Sequence, residues 1–254
     1  MITAGIDSGS KNVKAVIMKD GSVAGKAMAP AGLDSGAAAG QAYDEALKSA
    51  GLTRNDVQKV LVTGAGKNNC NFAQGKITEA EAAAKGMYFV MPDVRTIISV
   101  GAEEGSAIKV NENGDVVDFA INEKCAAGAG TFVELMARAL EIQVEQMTEL
   151  YDKSTKEIDM NAQCAVFAES ELVSLIHSQA AKSDIVRAIL TSIADRAVSV
   201  TRRVGIENSV AAIGGMALNR GFIKSIEREL HIDVSVPEEP VFVSAIGAAI
   251  AAAE

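Results

Sequence analysis

The stretch 122–132, Asn-Glu-Lys-Cys-Ala-Ala-Gly-Ala-Gly-Thr-Phe, places one thiol, Cys125, just ahead of a glycine-softened turn. Phe132, Leu135, Met136, Ala139 and Leu140 then follow at helical spacing. Cys125 is therefore expected at or before a helix N-terminus. There the free N–H groups and the helix dipole favour a negative group and lower a thiol's pKa. Cys164 repeats the arrangement, with Val166, Phe167, Leu172, Val173, Leu175 and Ile176 behind it. Two thiols, each heading its own helix, could hold one anionic cluster. An iron–sulfur cubane takes four, so two chains would complete the set. The bland reading of any one Cys is a buried small hydrophobe. Cys70, in Gly-Lys-Asn-Asn-Cys-Asn with no helical pattern close behind, keeps that reading. The spacings offer no CxxC, which argues against a zinc ribbon or a thioredoxin-type motif.

A second chemistry lies in two short turns. Gly5-Ile-Asp7-Ser-Gly9-Ser10 aligns with Gly101-Ala-Glu103-Glu-Gly105-Ser106 at a constant offset of 96 residues. An acid, a Gly two later and a Ser after it recur within the same strand–turn–strand–turn–strand order. This is a duplication at domain scale. Backbone N–H groups of such turns can point at phosphate oxygens, and Ser10 and Ser106 add hydroxyl donors. Asp7 and Glu103 would face each other across a cleft. Being acceptors, they would hold a magnesium ion through water or orient the attacking water. Gly214-Gly215 at a strand end would let a nucleoside pack on backbone. There is no Walker A: Gly66-Lys67 and Gly75-Lys76 are followed by Asn68 and Ile77. Cys125 to Gly130 is not a dinucleotide fingerprint, since Val133 occupies the third Gly position. His177 and His231 read as surface or helix-end residues. Glu169 and Glu171 read as solvated, and Met136, Met147 and Met160 as core fillers.

These groups must be positioned by alternating strands and helices. The patterns predict strands at 2–6, 13–18, 22–28, 56–63, 96–100, 107–110, 115–121, 209–213 and 232–236. They predict helices at 36–50 with Gly51 as C-cap, and at 78–85 with a Thr78/Glu81 capping box. Further helices are predicted at 132–150, 164–181, 185–204 before the stop Gly205, 220–230 and 241–253. The expected division is an N-terminal subdomain, 1–94, with helix 241–253 packing back on it, and a C-terminal subdomain, 95–240, carrying both cluster thiols. No Gly/Ser or Pro linker separates the halves, so they are expected to share a cleft.

Composition bounds the partners. The chain has 254 residues, 48% hydrophobic, with a net charge of −9. That suits an α/β protein with ample core and argues against a general binder of nucleic acid or anionic membrane. No apolar run reaches a membrane span and no signal-peptide pattern opens the sequence, so a cytoplasmic location with reduced thiols is expected.

Four segments carry a family resemblance: Asp7-Ser-Gly-Ser-Lys-Asn-Val-Lys14, Lys124-Cys-Ala-Ala-Gly-Ala-Gly-Thr-Phe132, Cys164-Ala-Val-Phe-Ala-Glu-Ser-Glu171 and Ile213-Gly-Gly-Met-Ala-Leu-Asn219. Over essentially its whole length the chain resembles the iron–sulfur ATPases that activate 2-hydroxyacyl-CoA dehydratases or power benzoyl-CoA reductases. The resemblance implies an actin/sugar-kinase/Hsp70-like α/β fold, two duplicated ribonuclease-H-like domains around a nucleotide cleft. It implies a 4Fe-4S cluster shared by two subunits, with Cys125 and Cys164 as ligands from each. It implies ATP or ADP with Mg2+, bound near Gly9, Ser10, Lys14, Gly101, Gly128, Gly130, Gly214 and Gly215, with Asp7 and Glu103 catalytic. The partners implied are a second ATPase subunit, an acyl-CoA reductase or dehydratase, and ferredoxin as electron donor. Homodimeric activators of this family usually carry Gly-Gly-Gln-Asp-x-Lys at the second phosphate loop. Val100-Gly-Ala-Glu-Glu-Gly105 looks more like the D-type ATPase chain of benzoyl-CoA reductase. Two other readings stay open: a small-molecule kinase of the same fold with inert cysteines, and a nucleotide-sensing partner without turnover.

Overall fold

The computed structural model describes residues 1–122, 130–160, 165–207 and 209–254. In chain order the strands and helices are β1 (Ile2–Ser8), β2 (Asn12–Lys19), β3 (Ser22–Pro30), α1 (Ser35–Ala50), β4 (Lys59–Thr63), β5 (Gly75–Lys76), α2 (Glu79–Val90), β6 (Thr96–Val100), β7 (Gly105–Val110), β8 (Val116–Ile121), α3 (Gly130–Ala139), α4 (Met147–Asp152), α5 (Ala165–His177), α6 (Lys182–Val204), β9 (Val210–Ile213), α7 (Arg220–Leu230), β10 (Val234–Ser235) and α8 (Val243–Ala251).

The duplication read from the turns is a duplication of sheets. One five-stranded sheet runs β3-β2-β1-β4-β5 and the other β10-β9-β6-β7-β8. Each half thus orders its own strands third, second, first, fourth, fifth. In the first sheet β1 is antiparallel to β2 and parallel to β4. The chain divides into two compact units. Unit one comprises 1–97, 108–118 and 237–254, and unit two 98–107 and 119–236.

In unit one, α1 packs Ala39, Ala42, Tyr43 and Ala46 against Ala4, Ile6 and Val62 of the sheet. Asp34 caps α1 by accepting from the Ala37 amide, and Gly51 ends it at φ 67°. Thr78 and Glu81 form the expected capping box on α2. The β2–β3 turn has positive φ at both Asp20 and Gly21, which matches the right-handed twist of the strands it joins. Helix α8 packs on α2 and β1 with almost no side-chain layer between backbones. A Cβ on Gly247 would stand 1.8 Å from the Ala82 carbonyl oxygen, one on Gly86 1.9 Å from that of Val243, and one on Gly5 2.0 Å from that of Ala245.

In unit two, α6 lays Ile185, Ile189, Ile193 and Ala197 into a core shared with Phe132, Met136, Leu172 and Phe222. The single helix expected over 132–150 is broken. Glu141 adopts φ 56°, its N–H bonds the Arg138 carbonyl, and the Ile142 N–H bonds that of Ala137. This is a Schellman ending with glutamate where glycine is usual. Gln179 ends α5 in the same way, at φ 58°, so that helix stops at His177 rather than 181. A third departure is at 56–63, where a short 3-10 turn at Arg54–Asp56 delays β4 to Lys59. Strand β5 is too short to leave a pattern.

Residues 154–156 are pinned from unit two's own core. Asp184 is buried and accepts from the Ser154 hydroxyl and from the Thr155 and Lys156 amides. The Lys156 and Thr155 N–H groups hold its carboxyl below the usual range. Among the described residues no helix is long and apolar enough to cross a membrane.

Candidate functional site

Each half builds a polar end from the same pieces. In the first half, β1 ends at Asp7-Ser8 and the turn Gly9-Ser10-Lys11 returns the chain into β2. Asp7 and Lys14 are cross-strand partners, so their side chains stand on one face. The Lys14 ammonium donates to Asp7 Oδ2 at 3.0 Å, with both side chains largely shielded. Gly9 allows this approach, since a Cβ there would stand 2.9 Å from the Asn12 carbonyl oxygen and 3.1 Å from Lys14 Nζ. The turn after β4 closes against the same strand end. Gly64, at φ 89°, would put a Cβ 2.6 Å from the Ser8 carbonyl oxygen and 2.7 Å from Asp7 Oδ1. The Gly66 amide donates to the Ser8 carbonyl at 2.8 Å. Asp7, Gly9, Ser10 and Lys14 are thus brought together. Thr63, Gly64 and Gly66 join them unforeseen. The Gly-Ala-Gly after a strand is the signal that could have found them.

The second half repeats the device. The β6–β7 turn is closed by the Gly101 amide donating to the Glu104 carbonyl at 2.8 Å, leaving Glu103 exposed. Gly214, at φ 88°, follows β9 as Gly64 follows β4, and its Cβ would lie 2.4 Å from the Val100 carbonyl oxygen. Gly215 is exposed, and a Cβ there would meet open space. The backbone there is bare and stands beside open space.

The start of α3 is bonded to this turn. The Gly130 amide donates to the Gly101 carbonyl at 2.9 Å. The Thr131 amide and hydroxyl both donate to the Ala102 carbonyl, at 2.8 and 2.7 Å. So α3, the next described helix after Cys125 in the sequence, opens against the turn between β6 and β7. Cys125, Gly128 and Cys164 lie outside the described residues. The elements around them are α3, opening at Gly130, and α5, whose first residue follows Cys164. Cys70 is buried in the core of unit one, and burial pushes its thiol pKa up. The sequence has two further thiols, Cys125 and Cys164, and thiols are the ligand type an iron–sulfur cluster takes. Among the described residues no group of three or more His, Cys, Asp or Glu could hold a metal ion. His177 ends α5 on the surface, and His231 caps α7 at φ 56°.

Comparison with known proteins agrees with this geometry. Residues 4–252 match the BadF/BadG/BcrA/BcrD ATPase family. The activator of lactoyl-CoA dehydratase from Anaerotignum propionicum is 38% identical over 100% of this chain and 98% of its own length. The crystal structure of Acidaminococcus fermentans (R)-2-hydroxyglutaryl-CoA dehydratase component A superposes with a TM-score of 0.95 at 35% identity, covering 99% of this chain and 97% of that one. The activator of the 2-hydroxyisocaproyl-CoA dehydratase from Clostridium difficile, with bound ADPNP, gives 0.92 at 35% identity, over 99% and 94%. The D-type chain of Thauera aromatica benzoyl-CoA reductase is a relative at 29% identity over 98% of this chain and 92% of its own. That is lower than the dehydratase activators, so weight moves from the D-type likeness of the second phosphate loop toward the activators. The fold is the actin/sugar-kinase/Hsp70-like α/β architecture. The chain belongs to the BadF/BadG/BcrA/BcrD ATPase family.

Proposed function

We propose that this chain is an ATP-dependent activator of an acyl-CoA dehydratase. It would work paired with a second ATPase subunit, sharing one 4Fe-4S cluster through Cys125 and Cys164 of each. A benzoyl-CoA-type reductase is the related partner class, and a ferredoxin would recharge the pair. The observation that carries the reading is the bonding of α3 to the second phosphate turn, through Gly130 and Thr131 on Gly101 and Ala102. A nucleotide that reshapes this turn moves the helix start that follows Cys125.

The roles divide simply. Gly9 lets the first turn close on phosphate, and the Ser10 hydroxyl and Lys14 ammonium favour its charge. Asp7 in its turn, and Glu103 in its own, are each hard-oxygen donors that would meet Mg2+ through water or orient an attacking water. Gly214 and Gly215 seat the nucleoside. When bound, the cluster supplies a one-electron donor whose potential responds to charge, hydrogen bonds and solvent. Cys125 and Cys164, each ahead of a helix in the sequence, would hold it, so a change at those helices would alter its surroundings.

Anaerobic purification and iron analysis test this. Brown material with about four iron atoms per two chains is expected. Cys125→Ser and Cys164→Ser should each be colourless, while Cys70→Ser keeps its iron. Iron-free unsubstituted protein, or iron retained without both Cys125 and Cys164, overturns the reading. A colourless protein that phosphorylates a small molecule would point to a kinase instead.

A further inference from the structure

The strongest unused group is Thr63, at the end of β4. The strand register sets Lys14, Asp7 and Thr63 in one row across β2, β1 and β4. Residues so paired point to one face of the sheet, on strands about 4.8 Å apart. Lys14 engages Asp7 from one side. Thr63 flanks Asp7 from the other. Thr63 is fully buried, and its Oγ1 has no hydrogen-bond partner among the described residues. A buried hydroxyl without a partner is costly, and Val has the same shape, the same β-branching and no such cost. The fold alone therefore favours Val here. The hydroxyl is kept for something that is not protein, and the neighbouring group is the carboxylate assigned to the chemistry above.

We propose that Thr63 is a positioning residue for ATP hydrolysis, its hydroxyl fixing, together with Asp7, the water that attacks the terminal phosphate. This rests on the ATPase reading above. The hydroxyl both donates and accepts, so it can link the Asp7 carboxylate and the water and fix the water's lone pair toward phosphorus. The water oxygen bonds to the terminal phosphorus. The bond from that phosphorus to the bridging oxygen breaks, its electron pair leaving on ADP. The water proton ends on inorganic phosphate. Thr63 is unchanged at the end.

The test uses the anaerobically purified protein and the variants Thr63→Val and Thr63→Ser. Three quantities are measured: the melting temperature without nucleotide, the Kd for the analogue ADPNP, and kcat for phosphate release. For Thr63→Val the expected result is a melting temperature equal to or above that of the unsubstituted chain, ADPNP affinity within about twofold, and kcat lower on the order of 10²-fold. Thr63→Ser, which keeps the hydroxyl, should retain most of kcat and also guards against a Val variant that fails to fold. Unchanged kcat in Thr63→Val overturns the inference and leaves the ATPase reading standing. A fall in melting temperature and in ADPNP affinity together would make the hydroxyl structural and also overturn it. Unsubstituted protein that binds ADPNP but hydrolyses no ATP removes both.

Discussion

Asp7→Asn is expected to cut ATP turnover by about 10²–10⁴-fold while leaving iron content unchanged. Asn keeps the shape of Asp and removes its charge. It can still accept one hydrogen bond, but it cannot hold a hydrated cation or polarise a water as a carboxylate does. Lys14 then loses the opposite charge it holds at 3.0 Å and keeps at most a neutral acceptor. Both side chains are largely shielded, so a modest loss of stability goes with the loss of turnover. Asp7 lies in unit one, while Cys125 and Cys164 fall within the span 119–236 of unit two. Measuring phosphate release alongside iron per chain separates the two effects. Full turnover would remove Asp7 from the chemistry, and loss of iron would show that the substitution had damaged the whole fold.

The largest stability effect is expected at Gly247→Ala. By intrinsic preference alone Ala should help, since Gly in a helix interior costs roughly 1 kcal/mol relative to Ala. The geometry overrides this. The added carbon would stand 1.8 Å from the Ala82 carbonyl oxygen and 2.6 Å from the Gly86 amide nitrogen. Both are backbone atoms of α2, so no side chain can swing away. Helix α8 must lift from α2, and through its contact with Gly5 it must also shift on β1. Overpacking of this kind costs about 1–3 kcal/mol and sometimes more, which exceeds the gain in helix preference. The upper end of that range less roughly 1 kcal/mol of helix preference leaves about 2 kcal/mol, and at about 2–4 °C per kcal/mol for a chain of this size the melting temperature should fall by roughly 4–8 °C. A melting temperature that rises on substitution would mean that α2 and α8 are not in backbone contact.

The same glycine shows where sequence reading stops. Helix 241–253 is legible from its apolar pattern, but Gly247 amid alanines carries no sign of the backbone it meets. Punctuated elements read well: Gly51 ends α1, Gly205 ends α6, and Thr78 with Glu81 opens α2. Unpunctuated ends do not. Glu141 and Gln179 take the left-handed conformation that usually announces itself as glycine, so both preceding helices are shorter than their apolar patterns suggest. The two acid-Gly-Ser turns are visible because they recur at one offset. The Gly64-Ala-Gly66 turn fails a Walker test, although it performs for β1 what Gly214 performs for β6. Thr63 is invisible in the sequence for a different reason. Its significance is a hydroxyl without a partner among the described residues, which shows only once the sheet is assembled. Cys125, Gly128 and Cys164 rest on motif and spacing, and iron analysis is what decides them.

The central claim is that nucleotide at the second phosphate turn acts on the helix that follows Cys125. The most direct measurement is the reduction potential of the anaerobic protein's iron centre with ADP and then with ADPNP. A potential that shifts between the two nucleotides, with the shift reduced in Thr131→Val, where one of the bonds to Ala102 is gone, is the expected result. The same potential in both nucleotide states would contradict it.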